Sequence, residues 1–393
     1  MSFQRAARAA LAGRNCLPRI LVAVVVIVFL AGLSLSCGSS GSRQGTVPGH
    51  NAYVTLPATG QVLLLHINGS TGAITLGPKT TPVQNISPNG LALLASKKFL
   101  YVANSRGDTI SIFNVALDGT LTLSGTPTPA GSGPWAAVID PSGKYLLVTN
   151  NYFSDNVSVF SIDSDSGVLT EVAGSPFFAN GNPTEILITP SGKFVYATNP
   201  SLGVVTAFSF SNGVLTPVPG SPFSSGAGAF GLAVDATERF LYVANPAAIN
   251  PPPYQSTTGN ISGFNIDPVT GALSPILGSP FASIAGVGPT ALTVDPNDRF
   301  VYAVTSGSSN SIWCFAITST NGQLVEVTKS PFSLAGGGLF ALIDPLGNFF
   351  YIGASIGNGI AGYTYNPSTG DPTAIANSPF ATGTPPGKMV FSE

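Results

Sequence analysis

Short apolar runs alternate with turn residues through most of this chain, and the stretch from Gly133 to Phe177 shows the unit most clearly. Trp135 to Ile139 is apolar and meets the turn Asp140-Pro141-Ser142-Gly143; Tyr145 to Thr149 follows. A polar loop then leads to Val157 to Ile162, a turn at Gly167, and Val168 to Val172. Runs of this length, rich in β-branched and aromatic residues and bounded by Gly, Pro, Asn and Asp, predict four β-strands. No run after the first 40 residues repeats its apolar positions at a helical period. A single small sheet of this kind cannot bury both faces, so the pattern predicts copies stacked on one another.

Those copies are present. The second run recurs around Tyr53, Tyr101, Leu147, Tyr196, Tyr242, Tyr302 and Tyr351, and the glycine before the fourth run recurs as Gly72, Gly119, Gly167, Gly213, Gly271, Gly322 and Gly370. Two markers that look unrelated give the same count, seven, at a spacing suited to four-stranded propeller blades. The first unit starts at its second strand, His50 to Leu56, whereas Pro386 to Phe391 aligns with Pro134 to Val138 and nothing follows it in the unit. The expected fold is therefore an all-β, seven-bladed propeller over residues 50–393 in which the last strand completes blade one, removing a free sheet edge. Ser-Pro-Phe, repeated at Ser175, Ser221, Ser279, Ser330 and Ser378, is expected to end the outermost strand and wedge Phe between blades.

Composition changes the picture at the N-terminus. Arg5, Arg8, Arg14 and Arg19 precede an apolar stretch from Ile20 to Leu35, and Cys37 follows in a Leu-Ser-Cys-Gly context. This predicts an export signal over 1–36 and a flexible tether over 37–49. Acylation at Cys37, as in a bacterial lipoprotein, competes with an uncleaved helical anchor and with plain secretion. The body is thus expected at the bacterial cell envelope, periplasmic or on the outer surface, held to the membrane by a lipid or a helix. Removing residues 1–36 takes away four arginines and no acid, leaving 11 basic and 17 acidic residues. That balance excludes nucleic acid, which requires a basic stripe.

The FLYVAN-type strands (Phe99 to Asn104, Phe240 to Asn245), the DPSG turn and the GSPF ends resemble the lactonase-type seven-bladed propellers, the group that includes 6-phosphogluconolactonase, and the related YVTN-repeat surface proteins. The resemblance implies hydrolysis of a sugar lactone in the central pocket, with Arg, His and Glu as working groups.

The chain departs from that implication. Its two histidines are His50, beside the tether, and His66, inside a third strand, so no His stands at a loop mouth for base or metal work. No metal or other cofactor is expected. Cys314 has no activating base beside it and reads as a small hydrophobe. Asp163-Ser164-Asp165-Ser166-Gly167 hints at a calcium loop without its later bidentate acid and reads as a capped hairpin. Carboxylates must then do any catalysis: Glu185, after Pro183 at the start of an inner strand, is the leading base, Asp155 the second, and Arg106 the group to hold an anion. Asn104 and Asn150 at strand ends, Trp135, and Tyr254 in the longest loop are the candidate ligand contacts. Two functions are expected from these features: a binding or scaffold module for a protein or glycan at the envelope, or a hydrolase for a small sugar lactone. Either is expected to act as a monomer.

Overall fold

The computed structural model describes residues 48–81, 87–152, 154–246, 258–285, 288–306 and 310–392. Tyr254 and Cys37, and with them the export segment, lie outside these residues. Among those described, no helix is long and apolar enough to cross a membrane.

Seven antiparallel sheets follow one another round a ring. In blade three the strands are Pro134–Ile139, Tyr145–Asn150, Asn156–Ile162 and Leu169–Glu171, within a residue or two of the runs read from the sequence. In blade one Met389–Ser392 lies beside His50–Leu56, with Val54 opposite Met389 and Asn51 opposite Ser392. The last strand closes the ring as expected.

The outermost strand differs from expectation. In six blades it is in two pieces, both paired with the third strand: in blade three Leu169–Glu171 faces Phe160–Ile162 and Phe177–Phe178 faces Asn156–Val157. The break falls at Ser-Pro in blades three to seven and at Thr126-Pro127 in blade two. Proline has no N–H for the ladder, and at the break the preceding serine hydroxyl serves as the acceptor, taking the third-strand N–H of Val159 at 2.9 Å in blade three and of Gly362 at 2.8 Å in blade seven. The following Phe packs into the core between blades, as with Phe177, Phe223 and Phe380.

The apolar faces form seven clusters, one at each junction of neighbouring blades. Phe340 and Tyr351 of blade seven, for example, bury Val54 and Leu65 of blade one, and Tyr53 and Leu64 of blade one meet Leu100 and Phe113 of blade two. The tyrosine and glycine markers prove to be linked. Each buried tyrosine hydroxyl donates to the turn glycine carbonyl of the next blade: Tyr53 to Gly119, Tyr101 to Gly167, Tyr196 to Gly271, Tyr242 to Gly322, Tyr302 to Gly370 and Tyr351 to Gly72, at 2.7–3.0 Å. Leu147 leaves the junction of blades three and four without this bond. At Gly167 the carbonyl is presented from a left-handed turn with φ of 72°, and an added Cβ would fall 2.6 Å from the Phe99 ring, so the turn requires glycine for both reasons.

The blade turns are capped as the sequence suggests. Asp140 is buried, and its Oδ1 accepts from the N–H groups of Lys144 and Tyr145 at 2.8 and 2.7 Å. Asp295 and Asp344 repeat the arrangement. Asp163 Oδ1 accepts from Ser166 and Asp165, and the Ser166 hydrogen bonds hold its carboxyl below the usual range.

Candidate functional site

The inner strands surround a cavity of about 390 Å³. Six of its lining residues hold one equivalent position in six blades, the position of Trp135: Asn89, Trp135, Phe230, Thr290, Leu339 and Gly387. The remaining blade, blade four, has Thr184 there, and it is buried.

The next position along each inner strand packs toward the neighbouring strand. A Cβ on Gly90 would lie 2.6 Å from the Trp135 carbonyl oxygen, and one on Gly231 2.9 Å from the Ala291 Cα. Small residues allow that approach at Gly90, Ala136, Gly231 and Ala291, and Phe340 fills the position in blade seven. Blades one and four carry charges there instead, Lys388 and Glu185. Two inner strands separate them on one side of the ring and three on the other, yet the Lys388 Nζ and Glu185 Oε1 are in direct contact as an ion pair. The pair therefore spans the channel. Both side chains are largely buried, 26% and 17% exposed, a setting in which Coulomb attraction is less screened than on the surface.

One hydroxyl holds each charged residue in the same way. Thr198 Oγ1 accepts the N–H of Glu185 at 3.2 Å and donates to the Phe230 carbonyl of the next blade at 2.6 Å. Thr55 Oγ1 accepts the N–H of Lys388 at 2.9 Å and donates to the Asn89 carbonyl of the next blade at 3.0 Å. Thr149 makes the third such clamp, on Ala136 and the Thr184 carbonyl. Each clamp fixes a strand to its own blade and to the next, so the two charges approach from opposed, rigid supports.

Among the described residues no hydrogen bond or ion pair joins the other candidates to this pair. Arg106 is exposed in the turn between Phe99–Asn104 and Thr109–Val115, and among the described residues no hydrogen bond or ion pair joins it to Glu185 or Asp155. Asp155 sits at a turn corner with φ of 50°, a place that Asp108 and Asn358 hold in other blades. Its carbonyl accepts from Ala179 N–H at 2.7 Å. Asn104 and Asn150 are fully buried, and their amides donate within their own blades, to Ser111 and Ser158 among others. Trp135 lines the cavity.

His66 is exposed and bonded through Nδ1 to Asn51 Oδ1 at 2.8 Å. Cys314 is buried, and burial pushes its thiol up to about 12, which leaves it protonated and inert at neutral pH. Among the described residues no group of three or more His, Cys, Asp or Glu side chains is assembled to hold a metal. Lys388 was missed by reasoning on loop charges. The signal was available, because aligning Pro386 with Pro134 and Pro183 puts Lys388 one residue from the Trp135 position, where blade four has Glu185.

A seven-bladed propeller with a ligand-sized cavity on its axis and one opposed acid and base pair beside it defines the class of protein. The chain belongs to the lactonase, 7-bladed β-propeller family, whose model matches residues 38–180 and 258–387. A stretch of 92 residues is 40% identical to a 6-phosphogluconolactonase of Formosa agariphila; it covers 22% of this chain and 24% of that protein, so the match spans about a quarter of the relative. Among solved structures, a candidate 6-phosphogluconolactonase of Bacteroides uniformis superposes with a TM-score of 0.72 at 20% identity, over 87% of this chain and 99% of the other. A periplasmic gluconolactonase of Pseudomonas aeruginosa does so with 0.71 at 18%, over 88% and 99%. At such identities the structural likeness is one of fold.

Proposed function

We propose that this propeller hydrolyses lactones in its axial cavity, with Glu185 as general base and Lys388 as its cationic partner. The observation that carries the reading is the ion pair across the channel of a lactonase-family ring; the sugar-lactone names of its relatives support the reaction class. A lactone carbonyl enters between the two charges. Glu185 takes a proton from water as the oxygen bonds to the carbonyl carbon, and the Lys388 ammonium stabilises the oxyanion that forms. Collapse of that intermediate breaks the ring C–O bond, and the proton on Glu185 passes to the departing alkoxide. The product is an open hydroxy acid. Lys388 here fills the role expected of Arg106, which lies exposed in a turn.

On this proposal the chain works outside the cytoplasmic membrane, a location supported by its arginine-then-apolar N-terminus and by the periplasmic relative. Lipid labelling that is present in the native chain and absent in Cys37→Ser would identify a lipid anchor.

Glu185→Gln keeps the shape and removes the base, and should lower lactone hydrolysis by about 10²–10⁴-fold. A pure protein that opens glucono-δ-lactone and simple lactones no faster than buffer, or a Glu185→Gln variant with native activity, would end this reading and leave a binding module for a protein or glycan in its place.

A further inference from the structure

The lining of the cavity bears on which lactone it accepts, an inference that rests on the lactone-hydrolase reading above. Trp135, Phe230 and Leu339, from blades three, five and seven, give the lining three large apolar side chains, with the buried Trp135 indole N–H the polar atom among them. Its polar side chains are few and partly engaged. The Asn89 amide donates to Ser105 Oγ at 2.9 Å and the Thr290 hydroxyl to the Gly338 carbonyl at 2.7 Å, with Ser306 adding one further hydroxyl. Among the described residues Lys388 is the one cation of the lining, and its charge is already matched by Glu185.

A phosphorylated sugar lactone would bring a dianion and several hydroxyls into this space. A buried phosphate dianion is held best by several charge-assisted or backbone N–H donors, and each hydroxyl left without a partner opposes binding. An apolar substituent meets neither obstacle and gains from leaving water. The geometry points to an uncharged lactone carrying an apolar substituent as the substrate of this site, with its carbonyl at Glu185 and Lys388 and its substituent against Trp135, Phe230 and Leu339.

A homologous series tests it. With the native protein, kcat/KM is measured for γ-butyrolactone, γ-hexalactone and γ-nonalactone, beside glucono-δ-lactone and 6-phosphoglucono-δ-lactone. The expected result is a rise of about four-fold per added methylene until the cavity is filled, with the phosphorylated sugar slowest. Trp135→Gln should flatten that slope and Trp135→Phe should keep it; if Trp135→Gln does not fold, Phe230→Gln makes the same test. A flat series, or preference for either sugar lactone, overturns the inference while the hydrolase reading stands. Failure to open any of the five lactones overturns both.

Discussion

Six junctions of the ring and the seventh are built differently. At six, a tyrosine hydroxyl reaches across the seam to a turn glycine carbonyl. Between blades three and four Leu147 occupies the tyrosine position, and the hydrogen bonds across the seam lie near the channel: Thr149 donates to the Thr184 carbonyl at 2.8 Å, as its counterparts do at two regular seams, and the Asn151 amide to the carbonyls of Asn182 and Pro183 at 3.3 and 3.2 Å. Those acceptors immediately precede Glu185. The irregular junction is thus tied most closely where the candidate base is held, while the regular ones also carry a bond at the far end of the strands. A repeat can lose one of its structural markers without opening, provided another hydrogen bond crosses the same seam.

Removing residues 386–393 should have the largest effect on this arrangement. The loss strips His50–Leu56 of its inner partner and takes away Lys388; a loss of more than about 3 kcal/mol is expected. Chemical denaturation of the shortened ring with an unchanged midpoint would show that the six tyrosine seams hold it without closure.

Alkali should weaken the six seams together. Burial pushes the Tyr53 hydroxyl up to about 12 and raises those of Tyr101, Tyr196, Tyr242, Tyr302 and Tyr351 further. In the unfolded chain a tyrosine ionises near pH 10. The folded state therefore keeps protons that the unfolded state has released, and stability that is complete below about pH 10 should fall as the pH rises toward 12 and beyond. Urea midpoints that stay level from about pH 9 to about pH 12 would contradict this.

Single bonds at the two kinds of junction should cost less. Thr149→Val leaves the Ala136 N–H and the Thr184 carbonyl unpaired, whereas Tyr351→Phe leaves only the Gly72 carbonyl. Each should destabilise by about 1–3 kcal/mol, Thr149→Val nearer the upper end. Equal denaturation midpoints for the two would remove the proposed importance of the inner tie. The smallest change is expected from Leu147→Tyr. Its new bond, worth about 1 kcal/mol, is opposed by crowding a filled core, so the midpoint should move little; a clear rise would show that the missing hydroxyl alone distinguishes the seventh seam.

The ring, its count and its closing strand were legible because each rests on local rules: alternating strands, turn glycines, and Asp caps that act within a few residues. The break in the outer strand was half legible, since proline announces an interruption but not that Phe177–Phe178 resumes on the same neighbour. The site was less so. Glu185 stood out as an acid on an inner strand, but its contact with Lys388 joins positions 203 residues apart, and only the curvature of the ring brings them together. Arg106 and Asp155 share a mouth in the sequence pattern; in space one is exposed and the other holds a turn corner. The tyrosine and glycine markers were both seen, and the hydrogen bond between them crosses from blade to blade, a relation that no single repeat contains.

The closing strand also sets an order of events during synthesis. Lys388 leaves the ribosome long after Glu185, at the amino end of the strand that seals blade one. Until that strand is in place, Glu185 faces a channel that lacks its counter-charge. The cavity becomes a bipolar site only when the circle is sealed, so a nascent or unsealed chain would be catalytically silent on the proposed mechanism, and activity would report a finished molecule.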